Sequence, residues 1–146
     1  MSFVREDGME TVPCAAEAVK EGYFYKIETS NYRATKTAAV DDKPFGVGAE
    51  SSIEDDGDAK TLAAGDKMNF YSLGCGKKVK VAAITGLTLR RGAPLYLSQT
   101  AEADGCCGTS SSNSATKVAH YWGPDNLATT ANGQLIDALL DVPKTD

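Results

Sequence analysis

Lys67-Met68-Asn69-Phe70-Tyr71-Ser72-Leu73-Gly74-Cys75-Gly76-Lys77-Lys78-Val79-Lys80-Val81-Ala82-Ala83 is the stretch on which the fold class turns. Polar and apolar side chains alternate from Lys67 to Tyr71, the period of a half-buried strand. The same alternation returns after the glycines, where Val79 and Val81 interleave with Lys78 and Lys80. The lysines therefore belong on a solvent face and the valines on a core face. Gly74 and Gly76 supply the positive φ that a tight turn requires, so the two strands are expected to pair as a hairpin.

Other short strands follow on either side. Tyr23-Phe24-Tyr25-Lys26-Ile27-Glu28-Thr29, entered through Glu21-Gly22, places Tyr23, Tyr25 and Ile27 on one face. A weaker strand covers residues 32–36, and the Asp41-Asp42-Lys43-Pro44 turn leads into Phe45-Gly46-Val47-Gly48. Arg91-Gly92-Ala93-Pro94 makes a corner before Leu95-Tyr96-Leu97, with Pro94 at a strand start or an edge because it has no N–H to donate. Residues 116–122 put Val118, His120 and Trp122 on one face, and residues 135–142 form a further strand after Asn132-Gly133. Between them, residues 99–114 read as a long polar loop around Cys106-Cys107. Pro13 to Lys20 carries capping signals, Thr11 before it and Gly22 after it, and is as compatible with a short helix as with a strand. The pattern is that of an all-β domain.

A chain of 146 residues with 42% hydrophobic content fits one globular domain. A net charge of −5, with basic residues clustered only at Lys77-Lys78-Val79-Lys80 and Arg90-Arg91, argues against nucleic acid as a partner. No apolar run is long enough to span a bilayer, and the N-terminus lacks the basic and apolar regions of a signal peptide. No membrane association is expected, and synthesis belongs in a cytoplasm-like setting. The four cysteines, Cys14, Cys75, Cys106 and Cys107, match no zinc or redox spacing, so reduced thiols are expected. Glu54-Asp55-Asp56-Gly57-Asp58 lacks the ligand spacing of a calcium loop and reads as a solvated turn.

Catalytic chemistry finds little footing. His120 is the single histidine, and neither a nucleophile–histidine motif nor a zinc signature surrounds it. Gly74-Cys75-Gly76-Lys77-Lys78 superficially resembles a phosphate loop but joins two strands, with no helix N-terminus to hold an anion. The carboxylates at Asp41-Asp42 and in the 54–58 turn sit where nothing would raise a pKa. No enzyme, catalytic residue, cofactor or metal is therefore expected. Tyr121 and Trp122, with the tyrosine-rich first strand, either offer an aromatic platform to a sugar or protein or fill the core.

One ordered set of steps carries a resemblance. Val19-Lys20-Glu21-Gly22 opens a strand, Lys43-Pro44-Phe45-Gly46-Val47-Gly48 follows, and then Leu62-Ala63-Ala64-Gly65-Asp66-Lys67. Leu89-Arg90-Arg91-Gly92-Ala93-Pro94-Leu95-Tyr96-Leu97 comes next, before Tyr121-Trp122-Gly123 and Ile136-Asp137-Ala138-Leu139-Leu140. The succession, over residues 17–142, resembles the capsid decoration (cement) proteins of tailed viruses with HK97-type heads. Residues 99–114 lie outside the shared pattern. The resemblance implies a small β-barrel or β-tulip-like domain on the outer surface of the virion, made in the host cytoplasm. It implies a homotrimer that bridges major capsid protein subunits. Residues 1–16 would form an N-terminal arm and residues 17–146 a single β domain. The polar stretch 1–13, with Ser2, Phe3, Val4, Arg5 and Glu6 as candidate capsid contacts, would be loose in the free protein and order on the shell. The competing expectation is a carbohydrate-binding or adhesin-type β module of a virus fibre or cell surface, working through Trp122.

Overall fold

A computed structural model describes residues 9–14, 17–49, 60–62, 64–98 and 104–145. The fold is all-β. In chain order the strands are β1 (Met9–Pro13), β2 (Glu17–Val19), β3 (Phe24–Ile27), β4 (Ala34–Lys36), β5 (Gly46–Gly48), β6 (Lys60–Leu62) and β7 (Lys67–Ser72). Then come β8 (Lys78–Ala83), β9 (Thr88–Leu89), β10 (Pro94–Leu97), β11 (Cys107–Gly108), β12 (Thr116–Tyr121), β13 (Leu127–Ala128) and β14 (Gln134–Thr145). The first half supplies a five-stranded sheet ordered β1-β7-β5-β3-β4. The second half supplies a closed barrel ordered β10-β11-β8-β14-β12, and β9–β13 and β2–β6 form separate two-stranded ribbons.

Closure of the barrel depends on the segment expected to be a polar loop. Cys107 pairs antiparallel with Leu97 on one side and parallel with Ala83 on the other. Ile84 N–H donates to Cys107 O at 2.9 Å and Ser98 N–H to Cys106 O at 3.0 Å. Cys106 and Cys107 are both fully buried. A run dominated by Ser, Thr, Asn and Gly thus hides a two-residue strand, because small side chains fit where three strands converge.

The sheet and the barrel are joined through β3, which lines a core on each face. Phe24 and Tyr25 are adjacent and both fully buried, on opposite faces. Phe24 packs with Val47 against the barrel core of Val81, Leu95, Val118 and Ile136. Tyr25 packs into a second core with Val12, Met68 and Phe70. There the Phe70 ring takes Tyr25 and Phe45 edge-on, at centroid distances of 5.1 and 5.0 Å. Hydrogen bonds fasten the two units: Ala82 N–H to Gly22 O and Phe24 N–H to Gly105 O, each 2.8 Å. Tyr23 and Tyr25 pack on one core, as their shared face requires, but Phe24 on the opposite face is buried as well and Ile27 is exposed.

Two further expectations are corrected, and one open alternative is decided. β7 and β8 do not form a hairpin: β7 lies between β1 and β5, whereas β8 lies between β14 and β11. Gly74 and Gly76 do take positive φ, of 86° and 72°, but the turn they make carries the chain from the sheet to the barrel. The Pro13–Lys20 segment is not helical at its described ends. Cys14 bridges Ala34 in parallel and Glu17–Val19 pairs with β6. The polar stretch 1–13 is not loose throughout, since from Met9 onward it is strand β1, paired with β7 over Met9–Pro13. Thr11 Oγ1 donates to Asn69 Oδ1 at 2.8 Å, so polar side chains on β1 satisfy one another across the pair.

β12 departs from simple alternation as well. Against β10, Lys117 and Ala119 stand opposite the adjacent Tyr96 and Leu95, so Val118 is an extra, bulged residue on β12. Val118, Ala119 and Tyr121 are all buried, while His120 is half-buried and Trp122 exposed. The expected common face of Val118, His120 and Trp122 splits at the bulge, which moves every later side chain to the other side. Elsewhere the alternation holds: Lys78 and Lys80 are exposed, Val79 and Val81 buried, and Pro94 starts β10.

Candidate functional site

Trp122 is the large aromatic ring that the barrel turns outward, 40% exposed. It leaves β12 just after the bulge, and its N–H donates to Asp137 O of β14 at 2.9 Å. The Arg91 guanidinium lies over the indole, 5.6 Å from the ring centroid. Arg91 is fixed there from both ends: its N–H donates to Asp125 Oδ1 at 2.8 Å and its Nε–H to Gly123 O at 3.1 Å. On the neighbouring strands Lys80 Nζ meets Asp137 Oδ1 at 2.7 Å, and Leu135 is 40% exposed. The result is an outward patch on β8, β14 and β12 with a clamped Trp–Arg pair beside aliphatic and paired ionic groups. Such a patch suits contact with a protein surface, since Trp and Arg anchors concentrate binding energy.

Tyr121 does not join that patch. Its ring is fully buried, and its hydroxyl donates to Pro124 O at 2.6 Å, closing the turn that presents Trp122. Ser2, Phe3, Val4, Arg5 and Glu6 lie outside the described residues. His120 stands opposite Leu139 and Pro94 on the flank of the barrel. Among the described residues no three His, Cys, Asp or Glu side chains come close enough together to hold a metal ion. Among them, too, no helix is long and apolar enough to cross a membrane.

Cys106 and Cys107 are buried thiols. Burial pushes the Cys106 thiol up, against a hydrogen bond with Tyr23 that pulls it down. Burial likewise raises the Tyr23 phenol. The ammonium groups of Lys20 and Lys36 flank that ring at 5.7 and 5.6 Å. Cys107 is raised further still by complete burial, so neither thiol is poised as a nucleophile. Gly133, at φ 86°, is where the Tyr23 hydroxyl passes the chain: a Cβ there would lie 2.4 Å from it.

A second exposed aromatic, Tyr32, is 75% exposed in the turn joining β3 to β4. It takes φ 54°, unusual for a bulky side chain, and is held by its N–H to Glu28 O at 3.0 Å. Neither Tyr32 nor the Arg91–Trp122 contact was expected from the sequence. Arg90-Arg91 stands out as a basic cluster, but its distance along the chain from Trp122 hides the pairing.

Compared with known proteins, the chain matches no family model and no curated protein.

Proposed function

We propose that the chain is a non-enzymatic virion protein that decorates and stabilises the outer surface of an icosahedral tailed-virus capsid by bridging major capsid protein subunits. The observation that carries the reading is the Trp122–Arg91 pair, clamped on the outer wall of a closed barrel beside exposed Leu135. A rigid wall presents such an anchor with little entropy lost on docking. The ordered succession of glycine turns and strands over residues 17–142 points the same way. β1 adds a second means of attachment, because among the described residues it stands at the end of the sheet order and offers main-chain groups to an added strand. As a homotrimer the chain would repeat each contact on neighbouring capsid subunits, so modest individual contacts would hold through avidity.

The test is co-sedimentation of the purified chain with assembled heads of its own virus, alongside light scattering to fix the oligomer. Stoichiometric decoration is expected, and Trp122→Ala should weaken it about thirtyfold, as loss of a hot-spot side chain of about 2 kcal/mol does. Absence of the wild-type chain from the head fraction overturns the function. Undiminished decoration by the variant overturns the choice of surface.

A further inference from the structure

A cavity of about 260 Å³ opens at the end of the barrel where β11 closes it. It lies beside the Leu97 end of β10, whereas Trp122 lies near the Pro94 end, where Pro94 stands opposite His120. We infer that this cavity is a binding site for a single neutral sugar ring.

The lining sets the ligand class. Val40, Ile84, Leu87 and Leu97 give an aliphatic wall, and Ser98, Ser110, Ser112 and Asn113 give hydroxyls and a carboxamide. Among the described residues no charged side chain lines it. A charged ligand would lose hydration there with no counter-charge to replace it. A purely apolar ligand would use the aliphatic wall alone and gain nothing from the exposed hydroxyls and carboxamide on the rim. A monosaccharide answers both halves, with C–H groups for the aliphatic wall and neutral hydroxyls for the rim. The volume lies just under the range for drug-sized ligands, which suits one ring and not a chain of them.

The walls are already fixed. Thr129 Oγ1 donates to Ile84 O at 2.7 Å and accepts from Leu87 N–H at 2.9 Å, locking the turn that carries both aliphatic residues. Thr116 N–H holds Val40 O at 2.8 Å, and its hydroxyl holds Asp42 O at 2.8 Å. Asn113 on the rim and Ser114 next to it take positive φ of 60° and 56°, two consecutive non-glycine residues in a region L side chains rarely adopt. Strain of that kind persists only where the surroundings enforce it, and it gathers at ligand clamps. Gly108 also lines the cavity, and a Cβ added there would sit 3.1 Å from Ile84 Cδ1, narrowing the space. Sugar binding at this cavity is independent of capsid decoration.

The experiment is amide NMR titration of the whole chain, separately, with the methyl glycosides of glucose, galactose and N-acetylglucosamine. Sodium glucuronate and cyclohexanol serve as charged and apolar controls. At least one neutral glycoside should bind in the millimolar range and move amides of residues 97–98 and 108–113. Gly108→Val should abolish those shifts. Asn113→Gly, which relieves the turn and so keeps the fold, should weaken binding about fivefold through the lost carboxamide. Saturable shifts of that segment with a neutral glycoside, lost or weakened in the variants, support the site. Shifts with glucuronate or cyclohexanol alone, shifts unchanged in Asn113→Gly, or no shift with any glycoside overturn it.

Discussion

Phe24→Ala tests whether sheet and barrel share one core. Phe24 belongs to the sheet but is fully buried against barrel residues, so the truncation removes a ring and leaves a cavity between the two units. Loss of a fully buried phenylalanine costs about 3–5 kcal/mol. For a domain of this size that lowers the melting temperature by roughly 10 °C or more. Trp122 is the single tryptophan and stands on the barrel, so its fluorescence during urea unfolding reports on the barrel while the mutation sits in the sheet. A single transition with a much lower midpoint is expected by fluorescence and by far-ultraviolet circular dichroism alike. Ile27→Ala is the control in the same strand: Ile27 is 37% exposed, and its truncation should cost about 0.5 kcal/mol. If the fluorescence midpoint stayed put while circular dichroism fell in a separate step, the shared core would be refuted.

Asp42 gives a pH prediction. Burial disfavours its charge, but Ala39 N–H, Ala38 N–H and the Lys26 ammonium, at 2.9, 2.8 and 3.0 Å, outweigh that and hold the carboxyl below its ordinary value. A depressed folded pKa gives stability that is complete above the unfolded value, about 3.9, and is lost as pH falls through the folded one. The stability gap between wild type and Asp42→Asn, followed by urea titration, should therefore narrow below about pH 4, and a gap independent of pH would contradict the assignment. The thiols give another. Of the four cysteines, Cys14, Cys106 and Cys107 are buried and Cys75 is not. A disulfide reagent should modify Cys75 rapidly in the native protein and the other three only with unfolding, which mass spectrometry of the labelled peptides would check.

What the sequence revealed was local. The Lys/Val alternation of β8 and the position of Pro94 were legible because period-two patterning and a missing N–H act within a few residues. Pairing partners were not. Gly74 and Gly76 announce a reversal of the chain equally well whether the next strand returns to its neighbour or crosses to another sheet. The bulge at Val118 leaves no mark in composition, yet it sends His120 and Trp122 outward and keeps Tyr121 in. The segment around Cys106-Cys107 was misread because small polar residues dominate it, and the burial of a two-residue strand comes entirely from β8 and β10 on either side. On the surface, Trp122 was legible as a candidate. Its Arg91 cap, which joins distant parts of the chain, was not.

The position of β14 bears on how the protein is made. Its 12 residues stand between β8 and β12, although both of those precede it in the sequence. A nascent chain emerging from the ribosome therefore carries two unmatched ribbon margins until β14 arrives, and non-local pairing of this kind is slow. Stalling synthesis before residue 134 should leave a chain prone to aggregation.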